Sequence, residues 1–274
     1  MNKSIKTSGQ GARYILDDFK IIDLYKSGQT AKQIAALLNI SCTTIKRRLR
    51  QHGVKRPPKY TLDENSFSVF TPESCYWAGF LAADAWVGSN HKKKKFCINL
   101  ARKDTAHLHK LCRFIKRQEN AVKDKLAVVN NKTYKQCVLE VGNKKIVYDL
   151  VKNFNVVQKK SFILHPPTKI PKELLRYFIR GYLDGDGHVG IKDNLIVFNI
   201  VSGSVDLLNW LVDCIKNELN INLKLYKKDT VRFIQTSGIK AQSILNWLYK
   251  DSTIETRLDR KFEKYTNYCK MRSI

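Results

Sequence analysis

Apolar positions in this chain recur at helical spacing near its start, then switch between helical and alternating patterns along the rest. Residues 1–12 are polar and show no period. Over 16–51 the pattern predicts three short helices: Ile21, Ile22 and Leu24 begin the first, SGQT ends it, AKQIAALL carries the second, and CTTIKRRLRQ follows the turn NIS. Thr30 and Ser41 stand where N-caps belong. Residues 53–71 mix Pro, Gly, Lys and Ser without period and read as a linker, stiffened at Pro57–Pro58. Beyond it one order of elements occurs twice. A helix at 72–85, strands at 86–90 and 95–102, a helix at 104–117, a hairpin about Asn130–Asn131 and a helix at 144–153 make the first pass. The second has a helix at 171–185, strands at 188–192 and 195–202, a helix at 204–219, strands at 222–227 and 231–236, and a helix at 239–249. Each pass is α-β-β-α-β-β-α with hairpin-linked antiparallel strands, so the expected class is α+β. The expected divisions are a helical domain at 1–52, a linker at 53–71, and halves at 72–166 and 167–274.

The repeat is most explicit in YWAGFLAADAWVG at 76–88 and YFIRGYLDGDGHVG at 177–190. The first motif helix is apolar all round over 76–83 and must be buried on every side. Gly79 and Ala83, like Gly181 and Gly185, are four apart, and small residues at that spacing let two helix backbones approach closely. The helices are therefore expected to pack on each other along a pseudo-twofold axis, with Asp84 and Asp186 emerging side by side at their C-terminal ends. A helix C-terminus carries partial negative charge, so two carboxylates there are disfavoured twice over. A divalent cation relieves both terms, and oxygen ligands with water and phosphate oxygens suit Mg²⁺.

Charge narrows the partner. Lys and Arg outnumber Asp and Glu by 50 to 24, a net +26 spread along the whole chain, which points to nucleic acid. The seven cysteines form no C-x-x-C pair, which predicts reduced thiols and an intracellular protein. No apolar run is long enough to span a bilayer. The lysine run at 92–95, at a hairpin tip, offers Lys93 and Lys95 as phosphate contacts. DGDG at 184–187 is not a calcium loop, because Leu195 stands where the twelfth-position Glu is required. Trp210 and Trp247, among Leu and Ile at helical spacing, belong to the core.

Two family resemblances sharpen this picture. Residues 30–51 resemble the helix-turn-helix of bacterial and phage DNA-binding proteins, with Asn39 where many members have the turn glycine; Asn also tolerates that left-handed backbone. Standard docking of such a motif points Thr43, Thr44, Lys46, Arg47 and Arg50 at the major groove. The repeated helices resemble the LAGLIDADG motif of homing endonucleases, as WAGFLAADA at 77–85 and IRGYLDGDG at 179–187. The resemblance implies that Asp84 and Asp186 are metal-binding and catalytic. Asp184, replaced by Ala82 in the first copy, is then expected to be dispensable, and Ala85 replaces the final motif glycine. It also implies a basic residue near the active site after each half's last helix, which lands on Lys160 and Lys261, 76 residues beyond Asp84 and 75 beyond Asp186; both are then expected to be catalytic, stabilising charge on the phosphate. The resemblance also implies a position near the metal-bound waters, at the end of the second strand, which falls on Arg102 and Ser202, with Arg102 expected to contact DNA. The expectation is therefore a monomeric, Mg²⁺-dependent, site-specific endonuclease of double-stranded DNA, in the cytoplasm of a bacterium or phage-infected host. Two other readings stay open: a non-cleaving DNA-binding regulator with a degenerate LAGLIDADG fold and a helix-turn-helix, and a maturase that binds intron RNA.

Overall fold

The structure is a computed structural model and describes residues 17–54, 60–88, 94–157, 164–229 and 231–272. The chain forms two compact units that divide between Tyr60 and Thr61. The first contains α1 (Asp18–Lys26), α2 (Ala31–Leu37) and α3 (Cys42–Gln51). Its boundaries follow from capping chemistry. Asp17 accepts from the Lys20 amide, Thr30 and Gln33 form a capping box, and Ser41 accepts from the Thr44 amide. Asn39 takes the left-handed conformation at φ 50°, as the turn requires. Ile21, Ile34, Ala35, Ile45 and Leu49 form a core of their own, and Asp18 ties α1 to α3 through Arg48 and His52.

The second unit is mixed α+β with two four-stranded antiparallel sheets. Its first half runs α4 (Pro72–Asp84), β1 (Ala85–Gly88), β2 (Lys95–Ala101), α5 (Thr105–Phe114), β3 (Lys123–Val129), β4 (Lys132–Gly142) and α6 (Lys144–Phe154). The second half runs α7 (Leu175–Asp186), β5 (Gly187–Lys192), β6 (Leu195–Ser202), α8 (Val205–Leu219), β7 (Leu225–Lys228), β8 (Val231–Ser237) and α9 (Gly238–Tyr249). The sheet orders are equivalent, β1-β2-β4-β3 and β5-β6-β8-β7. Two tight turns carry left-handed pairs, Asn130–Asn131 and Asp193–Asn194, whose twist suits two-residue hairpins.

Three differences from the sequence expectation have physical causes. The second unit begins at Thr61, inside the stretch read as a linker. Phe67 is fully buried there, edge-on to Phe114 and Phe154. Tyr60, Phe67 and Phe70, scattered among Pro, Lys, Ser and acidic residues, leave no period to detect. The motif helix of the second half starts at Leu175, after a 3-10 turn at Lys172–Leu174 that follows Pro171. A further helix, α10 (Asp259–Met271), closes the chain. Its apolar side, Phe262, Tyr265 and Tyr268, packs on the main core. It also fastens the halves together: Lys110 of α5 donates to Asp259 and the Arg257 carbonyl, and Arg260 donates twice to Asp104.

Candidate catalytic centre

The centre is made by two helices that touch through glycine. α4 is buried continuously from Ser74 to Ala82. A methyl group on Gly79 would overlap the Phe178 carbonyl oxygen of α7, and one on Gly181 would overlap the Tyr76 carbonyl oxygen of α4. These reciprocal contacts leave no room for any Cβ, so the small residues are sterically obligatory. One turn on, a methyl on Gly185 would overlap Ala83 and come within 3.3 Å of the Asp84 carboxylate. The helices therefore end together, and Asp84, half-buried, lies beside the last turn of the helix that carries exposed Asp186.

Both carboxylates act on the same neighbours. Burial first, then the Asp186 carboxylate, raises the pKa of the Tyr182 hydroxyl, with Asp84 adding to it. A cavity of about 220 Å³ opens beside them, lined by Ala82, Ala83, Tyr182, Asp186, Val201 and Ser202. Asp84 is not among its walls. The pair offers hard oxygen donors with solvent access, a set that holds Mg²⁺ when water and phosphate oxygens complete the shell. Among the described residues no group of three or more His, Cys, Asp or Glu makes a ready-formed metal cage.

Lys261 departs from the sequence expectation. The residue is 3% exposed, and its ammonium donates to the carbonyls of Leu183, Asp184 and Gly187 at 2.6, 2.8 and 2.6 Å. All three of its protons are thus engaged in capping α7, where cationic charge is favoured. Burial pulls its pKa down to about 8 against the opposing pull of Asp184, Asp84 and Asp186. It is a positioning group under Asp186, not a free cation aimed at phosphate.

Asp184 is a second correction, because it is far from idle. Fully buried, it accepts from the Tyr76 hydroxyl at 2.7 Å, the Leu258 amide at 2.8 Å and the Tyr249 hydroxyl at 3.4 Å. Burial raises its pKa, while Lys261 and those hydrogen bonds pull it down. Arg180, also fully buried, donates to Leu248 O, Thr256 O and Thr256 Oγ1. Sequence reasoning passed over Arg180 and Tyr182. The signal for Arg180 was a cation inside an apolar helix, which must find partners when buried.

Arg102 and Ser202 are not equivalent positions. The hairpin registers pair Ala85 with Ile98 and Gly187 with Ile200, so Ser202 corresponds to Leu100 and Arg102 to Ser204. Arg102 is exposed and ion-pairs with Asp124 at 3.3 Å, while buried Ser202 accepts from Tyr182 and the Ser204 amide. Lys95 donates to Glu140 at 2.6 Å. In the first unit Thr43, Lys46, Arg47 and Arg50 are exposed, whereas Thr44 is half-buried and its hydroxyl bonds to the Ser41 cap. Lys93 and Lys160 lie outside the described residues.

Comparison with known proteins gives the class. Residues 173–247, which include the second motif helix, match the family described as a LAGLIDADG-like domain. The fold is that of the homing endonuclease I-WcaI, solved bound to its DNA recognition sequence. That match has a TM-score of 0.50 and 12% identity, and covers 76% of this chain and 94% of that one. The N-terminal LAGLIDADG domain of DUF199/WhiA matches with a TM-score of 0.43 and 16% identity, covering 75% of this chain and 96% of that chain. A probable translation initiation factor IF-2 of Methanocaldococcus jannaschii is 27% identical over 125 residues, 39% of this chain and 11% of that protein. The chain thus spans about a tenth of the length of that curated relative.

Proposed function

We propose that the protein is a site-specific DNA endonuclease of the homing type, which makes a double-strand break at a long asymmetric target. The observation that carries this reading is the convergence of Asp84 and Asp186 at the ends of two glycine-locked helices, where the fold alone gains nothing from negative charge. Both acids come from one chain, so a monomer suffices. Asp84 and Asp186 would hold the divalent ion, Mg²⁺ by donor chemistry. When bound, such an ion lowers the pKa of water and draws charge from the scissile phosphate. The rest falls to the chain itself. Lys261 and Asp184 hold the end of α7 so that Asp186 keeps its place, and Tyr182 fixes the wall of the cavity. The two four-stranded sheets would present alternate side chains to a duplex. The first unit reads as a helix-turn-helix that adds affinity through Thr43, Lys46, Arg47 and Arg50, and the net charge of +26 supports a polyanionic partner.

A binder that never cuts is the second reading, and the saturated ammonium of Lys261 favours it. One experiment separates the two. A duplex is selected from a randomised library by binding to the full chain, then incubated with protein and Mg²⁺. The nuclease reading expects both strands cut, and a loss of at least about a hundredfold in rate for Asp84→Asn and Asp186→Asn with binding retained. A duplex bound tightly but never nicked, with or without those substitutions, leaves the regulator reading standing.

A further inference from the structure

The two sheets offer a duplex different chemistry. In each, side chains alternate between the buried core and the outer face. Because both hairpins share one register, rows across the outer faces can be compared position by position. In the first sheet one row is Asn99–Val138–Lys123 and the next is Ala101–Gln136–Lys125. The equivalent rows of the second sheet are Val201–Phe233–Tyr226 and, beyond it, Val231–Lys228. Asn99, Lys123 and Gln136 on one side are thus matched by Val201, Tyr226 and Val231 on the other, while Lys125 and Lys228 keep a charge in common.

The apolar row is not buried in the fold. Tyr226 is 45% exposed and Val231 37%, and the Tyr226 and Phe233 rings stack at 5.3 Å and 22° to form one flat surface. Val201 and Val231 also wall the cavity that holds Asp186, so the row is continuous with the candidate centre. Exposed apolar side chains of this kind are unfavourable in water unless a partner covers them. On a base edge in the major groove the matching apolar group is the 5-methyl of thymine.

Resting on the DNA-binding reading above, we propose that the second sheet recognises its half-site through thymine methyl groups. Val201, Phe233 and Tyr226 form the contact wall. The first sheet reads the other half-site by hydrogen bonds and charge from Asn99, Gln136, Lys123 and Lys125.

The selected duplex tests this when deoxyuridine replaces thymine one position at a time, which removes the methyl and leaves every hydrogen-bonding group. A buried methyl is worth about a fourfold change in affinity. Exchanges in the half-site facing the second sheet are therefore expected to weaken binding about fourfold each, and those in the other half-site less than twofold. Val201→Asn, which copies the residue at the equivalent place in the first sheet, is checked for unchanged thermal unfolding and then identifies the half-site: its uracil sensitivity disappears at one position there. Uniform insensitivity to uracil, or losses confined to the half-site that Val201→Asn leaves untouched, overturns the proposal while DNA binding stands. If no duplex is selected at all, the DNA-binding reading itself fails and this inference goes with it.

Discussion

The two motif helices follow the same backbone path and have opposite interiors. α4 meets its surroundings with Trp77, Phe80, Leu81 and Ala82, all buried and apolar. α7 instead buries Arg180, Tyr182 and Asp184 at the positions of Ala78, Phe80 and Ala82. Close helix contact therefore needs glycine at Gly79 and Gly181, and nothing polar. The polar groups of α7 do something else: Arg180, Asp184 and Lys261 anchor segment 254–261, and through it α10, onto the helix that ends in Asp186. At the positions compared, α4 is apolar, whereas α7 carries a hydrogen-bonded network.

That contrast can be broken in graded steps. The largest effect is expected at Asp184. Asp184→Ala strands Tyr76, Leu258 and the nearby cations, at a cost of about 4 kcal/mol, whereas Ala82→Gly at the matching site costs about 1 kcal/mol. Urea unfolding of both variants reads the difference, and comparable losses would show that the polar support is ornamental. Next come the glycines. Gly79→Ala and Gly181→Ala should each cost about 3 kcal/mol, since the overlapping atoms are backbone. Gly142→Ala, with open space around it, should cost nothing measurable. A twofold disparity between Gly79→Ala and Gly181→Ala would refute the reciprocal contact.

Lys261→Met removes the donor to three carbonyls and is expected to cost about 2 kcal/mol. Its effect on cutting, if the chain cuts, should track the loss of structure: cooling or a stabilising salt restores rate, which could not happen were the ammonium needed at the phosphate.

The smallest effect is in pH dependence. His107, buried against Trp77 and Phe80, meets the Tyr76 hydroxyl at 3.1 Å, and that hydroxyl already donates to Asp184. Burial first, then Lys110, Arg260 and Lys261, hold its pKa well below the usual histidine value. The unfolded chain therefore binds the extra proton below pH about 6.5, so stability present at pH 7 falls on acidification, by at most about 1.4 kcal/mol per pH unit. Thermal unfolding of His107→Phe at pH 7 and pH 5 should show that slope reduced.

Much of this was visible along the chain. The glycine spacing announced the helix pair, the acids their shared end, and Asn130–Asn131 a hairpin, because each is a local pattern whose meaning depends on neighbours within a few residues. Thr30 and Ser41 likewise marked helix starts by chemistry that acts over three residues. The roles of Asp184 and Lys261 were not visible. Their partners lie 65 to 108 residues away, and a lysine four residues after Arg257 carries no sign that three carbonyls will converge on it. α10 had the apolar spacing Phe262, Tyr265 and Tyr268, but its amphipathic face became meaningful only against the core it covers.

What the amino-acid order determined by itself was the duplicated α+β plan, the close helix contact and the pair of carboxylates, since periodicity, glycine and helix polarity act locally. Only the tertiary structure decided which charged groups face solvent and which are consumed inside. Burial makes a lone charge so costly that its role is set by whatever partners the fold brings to it, and those come from distant parts of the chain.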